Sequence, residues 1–141
     1  MSAEENKALV QRFFAEVCNG RQLDVADELF AAGHAYHDPF IPGVAPGAEG
    51  MKQIIAAYHA AFRDAHWDVE EQIATEDTVV TRWIGSGIHE GDLGGIAATG
   101  KPVRVVGIWL HRIAGGKIAE SWNVWDNLGM LQQMGVVSLP G

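Results

Sequence analysis

The sequence predicts an α+β fold, with N-terminal helices packed on the concave face of a cone-shaped, curved antiparallel sheet. Three observations predict it. Apolar residues recur at helical spacing through the first part of the 141-residue chain, alternation replaces that spacing after Phe62, and Ala114-Gly115-Gly116 joins two later strand patterns as a tight hairpin. Helices first and strands afterwards is the order of an α+β architecture, since βαβ units would interleave them.

Ser2, followed three residues later by Glu5, reads as a capping box. Leu9, Val10, Phe13, Phe14 and Val17 then carry a helical stripe to Asn19-Gly20, which predicts a helix over residues 4–19. Leu23, Ala26, Leu29 and Phe30 predict a second helix over 22–32, ended by Gly33, and His34 to Asp38 a short strand halted at Pro39. A loop rich in proline and glycine, 41–47, leads to a third helix over 48–64 with the stripe Met51, Ile54, Ile55, Tyr58 and Phe62. Strands are expected from His66, Thr78, Pro102 and Lys117. The first alternates Trp67, Val69, Glu71 and Ile73 with polar neighbours, and the second is a β-branched and aromatic run ending at His89. Gly91 to Gly100 reads as a loop, and no repeat or linker interrupts 1–141, so one domain is expected.

Composition narrows the function. Hydrophobic residues are 48% and charged residues 20% of the chain, a balance that folds. A net charge of -8 with scattered Lys and Arg leaves nothing to neutralise a phosphate backbone, so nucleic acid is not an expected partner. One cysteine, Cys18, rules out an intrachain disulfide and fits a core position. An acidic, polar start and the lack of a long apolar segment point to the cytoplasm and away from a membrane.

The richest segment is Glu120 to Asp126, where the even-numbered set runs Glu120, Trp122, Val124, Asp126. If that face is buried, Asp126 ends a strand inside an apolar cavity, with a raised pKa suited to taking and giving a proton. The alternative is that Asp126 simply caps the helix that follows. His89 ends the strand face of Thr81, Trp83, Gly85 and Gly87, whose glycines suggest bends or room for a ligand; a structural or solvated histidine is the other reading. His34, Tyr36, His37 and Asp38 include metal-ligand types. His34 and His37 fall on opposite strand faces, however, and no cysteine or helical histidine pair supports them, so no metal is expected. His37 and Asp38 then read as polar points of a pocket mouth. The tryptophans lie on predicted strands, and Trp67, Trp83, Trp109 and Trp122 would give flat apolar walls for a ring-containing ligand. Trp125 then faces the other way and, with Val106, Ile108 and Leu110, forms an apolar patch expected to join a homodimer.

Gly87-Ile88-His89-Glu90-Gly91, Thr99-Gly100-Lys101, Gly116-Lys117-Ile118, Glu120-Ser121-Trp122 leading to Asp126, and Leu131-Gln132-Gln133-Met134-Gly135 occur in the order found in SnoaL-like polyketide cyclases, which the chain resembles over nearly its whole length. The resemblance implies the nuclear transport factor 2-like cone, shared with ketosteroid isomerase. It also implies a cofactor-independent, metal-free intramolecular aldol cyclisation of a small apolar, ring-containing or polyketide-like carbonyl compound, in the ester cyclase, lyase or isomerase range. Asp126 matches the family's Trp-x-x-x-Asp aspartate, the acid and base, and His89 matches the histidine of Gly-x-His-x-Gly. His89, Tyr36 or His37 would donate a hydrogen bond to the enolate. Ala97-Ala98 departs from the proline that relatives often place before Thr-Gly-Lys. An isomerase, dehydratase or epoxide hydrolase on the same fold is the enzymatic alternative. A non-catalytic binder of hydrophobic small molecules is the other.

Overall fold

A computed structural model of the chain describes residues 1–138. Helix α1 (Ala3–Arg12) starts at the expected capping box, in which the Glu5 amide donates to Ser2 Oγ and the Ser2 amide to Glu5 Oε1, both at 3.1 Å. It runs on as a π-helical segment, Phe13–Asn19, which buries Phe13, Phe14, Val17 and Cys18. The second predicted helix is shorter than expected: a 3₁₀ turn (Leu23–Val25) and helix α2 (Ala26–Leu29) give way at Phe30 to strand β1 (Phe30–His37). Phe30 is extended because it pairs with Ile118 of the sheet and packs its ring against Phe13 at 5.2 Å, a tertiary preference that overrides its helical spacing.

Helix α3 (Gly47–Ala61) also ends early, and strand β2 (Phe62–Ala74) starts at Phe62, four residues before the expected His66. Strands β3 (Thr78–His89), β4 (Pro102–Ala114) and β5 (Lys117–Trp125) and helix α4 (Asn127–Gln133) complete the order. The sheet order is β1-β5-β4-β3-β2. All pairs are antiparallel except β1 with β5, so the predicted antiparallel sheet carries one parallel edge. Gly115 (φ 58°) and Gly116 (φ 76°) make the β4–β5 hairpin, a left-handed pair of residues that glycine adopts without strain.

Two irregularities decide which side chains face the helices. In β5 the partner of Ile113 is Ile118, but that of Arg112 is Glu120, so Ala119 is an extra residue. Beyond this bulge the phase of the strand flips. Ile118 points into the core, and so do Ser121, Asn123 and Trp125, whereas Trp122 and Val124 turn outward. The expected buried face of Glu120, Trp122, Val124 and Asp126 is therefore the outer face, and Trp125 lies inside. In β2 a shift between Val69 and Glu71 breaks the expected alternation likewise, leaving Trp67 buried but Ile73 exposed.

The inner rows of β3 and β4, Val79 to His89 and Val103 to Ile113, pack on α1, the π-helical segment and α3 in one hydrophobic cluster. Phe13 and Phe14 meet the Trp109 ring edge-on at 5.1 and 5.7 Å. Asn19 fastens the π-helical segment to β2, accepting from the Trp67 amide and donating to its carbonyl, each at 2.8 Å. No described helix is long and apolar enough to cross a membrane.

Candidate active site

A cavity opens between α3, the inner face of the sheet and α4, with about 570 Å³ of empty space when the open solvent at its mouth is included. Its walls are aromatic and aliphatic: Tyr36, Tyr58, Trp67, Trp83, Trp109 and Trp125 line it with Ile and Val from α3 and β4. Glycine makes this possible at Gly107, a residue that the sequence reading passed over. A Cβ there would sit 2.5 Å from the Trp83 indole and 2.8 Å from Trp125 Cβ, so only a bare backbone lets both indoles lie across β4. Of the glycines expected to leave room for a ligand, Gly85 lines the cavity, whereas the space beside Gly87 is taken by Phe62.

A chain of hydrogen bonds crosses the floor. Trp83 Nε1 donates to Asn123 Oδ1 at 3.2 Å, and Asn123 Nδ2 donates to the Tyr36 hydroxyl at 3.1 Å. Tyr36 in turn donates to Asp38 Oδ2 at 2.6 Å. Trp125 Nε1 reaches the same oxygen at 3.3 Å, and the Phe40 amide donates to Oδ1 at 2.8 Å, so three donors converge on a carboxylate that is 8% exposed. Burial, and then the hydrogen bond to Asp38 and its charge, raise the Tyr36 phenol far above its ordinary pKa; burial and the Asp38 charge also raise Tyr58. Asp38 is positioned by the end of β1 and the turn at Pro39, where the Ile41 amide bonds its carbonyl.

The structure brings Tyr36, Trp67, Trp83 and Trp109 to one cavity, and Asp38 bonds the wall residues Tyr36 and Trp125 from behind. His37 and Trp122 are elsewhere. On the outer face the His37 ring stacks on Trp122 at 5.2 Å and bonds Glu120 at 2.7 Å, and the Arg112 guanidinium lies 5.0 Å from the Trp122 ring. Asp126, expected to be buried, is exposed; it caps α4, Oδ1 accepting from the Gly129 amide at 2.9 Å. The bulge at Ala119 is the reason, since it turns the even-numbered face of β5 away from the helices. His89 is fully buried beside Phe62, and its Nδ1 accepts from the Thr99 amide at 3.2 Å and meets Thr99 Oγ1 at 2.9 Å. That bond leaves the proton on Nε2, which has no partner among the described residues. Sequence reasoning missed Tyr58, Gly107, Asn123 and the inward Trp125. The polar Ser121 and Asn123 concealed the inner face of β5, because they look like a solvated row.

A second buried polar group lies deeper. His34 Nε2 and Ser121 Oγ are 2.8 Å apart, and His111 next to them has neither ring nitrogen partnered. Burial lowers His34 to about 4 and His111 to about 3. Among the described residues no three His, Cys, Asp or Glu side chains are grouped to hold a metal.

The SnoaL-like polyketide cyclase family model matches residues 8–134. TsrD from Streptomyces laurentii is 26% identical and superposes with a TM-score of 0.86, covering 97% of this chain and 99% of its own. IdmH from Streptomyces antibioticus is 29% identical at a TM-score of 0.78, covering 92% and 98%. A Catenulispora acidiphila protein with a ketosteroid isomerase-like fold, solved with trimethylamine, is 22% identical at 0.77, covering 94% and 97%, a likeness of fold. No curated protein matches. The aromatic cavity thus lies in a nuclear transport factor 2-like cone, and the chain belongs to the SnoaL-like polyketide cyclase family.

Proposed function

We propose that the chain is an acid/base enzyme of cyclase or isomerase type, acting on a neutral, ring-containing carbonyl compound held in the aromatic cavity, with Asp38 as the proton acceptor. One observation carries the reading: a nearly buried carboxylate accepts hydrogen bonds from Tyr36 and Trp125, two residues of the cavity wall. Asp126, which the family resemblance favours for this task, is occupied as a helix cap in contact with solvent.

Asp38 takes a proton from the carbon beside a carbonyl, and the C–H electron pair moves into the enolate. In an isomerase Asp38 returns the proton to a different carbon. In a cyclase the enolate carbon bonds to a second carbonyl carbon, and Asp38 gives its proton to the new alkoxide. Such base catalysis contributes about 10²–10⁴-fold, and the aromatic walls add by holding the two ends in reach of each other. His89 has a supporting part, fixing the Gly91 to Gly100 loop through Thr99.

The test is hydrogen–deuterium exchange at the benzylic carbon of β-tetralone, followed by NMR. The wild type should accelerate exchange, Asp38→Asn should lose most of the acceleration, and Asp126→Asn should keep it. The reverse order would return the chemistry to Asp126. Binding of the ketone with no acceleration would favour the non-catalytic binder. The reading includes a homodimer formed through the outer sheet face, where Val106, Ile108 and Val124 are exposed. Light scattering that gives a monomer mass at micromolar concentration would refute that part.

A further inference from the structure

The cavity wall holds two tyrosines, and only one is occupied. Tyr36 donates to Asp38 and accepts from Asn123, whose own oxygen is taken by Trp83. Tyr58 stands in the last turn of α3, its ring set between Phe62 at 6.4 Å, Trp67 at 6.4 Å and Trp125 at 6.1 Å. Its hydroxyl makes no hydrogen bond among the described residues, although the ring is partly buried and lines the cavity. A phenol placed in an apolar wall without a partner has a donor to offer. Three other polar groups of the wall are less available. Trp109 Nε1, also unpartnered, is sealed among Phe13, Phe14 and His111, His66 is engaged with Asp68, and Ser86 belongs to the outward row of β3.

We infer that Tyr58 is the group that recognises the ligand, donating its hydroxyl proton in a hydrogen bond to an uncharged carbonyl oxygen while Asp38 faces the adjacent C–H. Burial and the nearby Asp38 charge keep the Tyr58 phenol protonated, so it acts as a donor throughout the working pH range. No lysine or arginine lines the cavity, and Asp38 opposes a second negative charge, so a free carboxylate or phosphate finds no counter-charge there. The bond strengthens as the oxygen gains enolate character, which makes Tyr58 a contributor to the chemical step as well as to binding. The part of the inference that concerns catalysis rests on the proton-transfer reading above; the part that concerns binding does not.

The infrared carbonyl stretch of bound β-tetralone tests it, in the wild type, Tyr58→Phe and Tyr36→Phe. Phenylalanine retains the ring packing at either position, and circular dichroism checks that each variant folds. The wild type should lower the carbonyl frequency relative to the ketone in an apolar solvent. Tyr58→Phe should abolish that shift and weaken binding roughly tenfold, whereas Tyr36→Phe should leave the shift in place. A shift that persists in Tyr58→Phe, or an unshifted ketone bound to the wild type, overturns the inference even if Asp38 catalyses exchange. A Tyr58-dependent shift without any exchange supports Tyr58 and refutes the catalytic reading instead. A wild type that binds no ketone overturns both.

Discussion

Replacing His111 by phenylalanine should remove a measurable part of the acid sensitivity of this fold. His111 is fully buried on the inner face of β4, stacked on Trp109 at 5.2 Å, with both ring nitrogens unpartnered, and burial lowers its pKa from 6.5 to about 3. The folded state therefore holds His111 neutral, whereas the unfolded chain protonates it once the pH falls below its ordinary value. The stabilisation is complete above pH 6.5 and is lost progressively down to the folded value of about 3. At about pH 4.5 the gap of two units corresponds to roughly 2.7 kcal/mol, at 1.36 kcal/mol per unit. Phenylalanine keeps an aromatic ring against Trp109 and Phe13 and cannot titrate. Urea unfolding, followed by tryptophan fluorescence at about pH 7 and about pH 4.5, should show the variant losing roughly 2–3 kcal/mol less than the wild type on acidification. The carboxylates are common to both proteins and cancel. An identical loss in the two would refute the reasoning, for it would mean that His111 finds a proton acceptor in the folded state.

Asp126→Ala should cost about 1 kcal/mol in urea unfolding, the usual value of an N-cap, while leaving ketone binding in the cavity unchanged; a loss of binding with no loss of stability would contradict the cap. Gly107→Ala places a methyl group 2.5 Å from the Trp83 ring, so it should cost about 1–3 kcal/mol and change tryptophan fluorescence by displacing the indole from Asn123. An unchanged emission spectrum would show that the backbone yields instead. Asn19→Ala removes both bonds to the Trp67 backbone and leaves the buried end of the π-helical segment unfastened, which should cost about 1–3 kcal/mol and speed amide exchange at Trp67. Protection equal to the wild type would argue against that clasp.

Much of the architecture was legible in the chain because it rests on local physics. The capping box at Ser2, the stripes of α1 and α3, the change of period after Phe62 and the Gly115-Gly116 hairpin each bear a chemical signature within a few residues. The first half of the site was legible for the same reason, since Tyr36 lies on β1 and Asp38 directly follows it before Pro39, and Trp67, Trp83 and Trp109 are large apolar residues on strands.

What the chain alone left undecided is the phase of each strand and the exact ends of the helices. Asp126 is the clearest case. Counting by twos from Ile118, which is buried, puts Glu120, Trp122, Val124 and Asp126 inside, and the apolar pair among them makes the count persuasive. The single extra residue at Ala119 reverses it, because a bulge is a property of the pairing between β4 and β5 and leaves no mark in the composition of either. Phe30 and Phe62 show the same limit at helix ends, where helical spacing yields to a sheet partner distant in sequence. The sequence by itself determined most of the elements and their order, which short-range periodicity sets. Only the tertiary structure decided that Asp38 meets Tyr36 and Trp125 in the wall while Asp126 caps a helix in solvent, since long-range strand register alone fixes which face of β5 is buried.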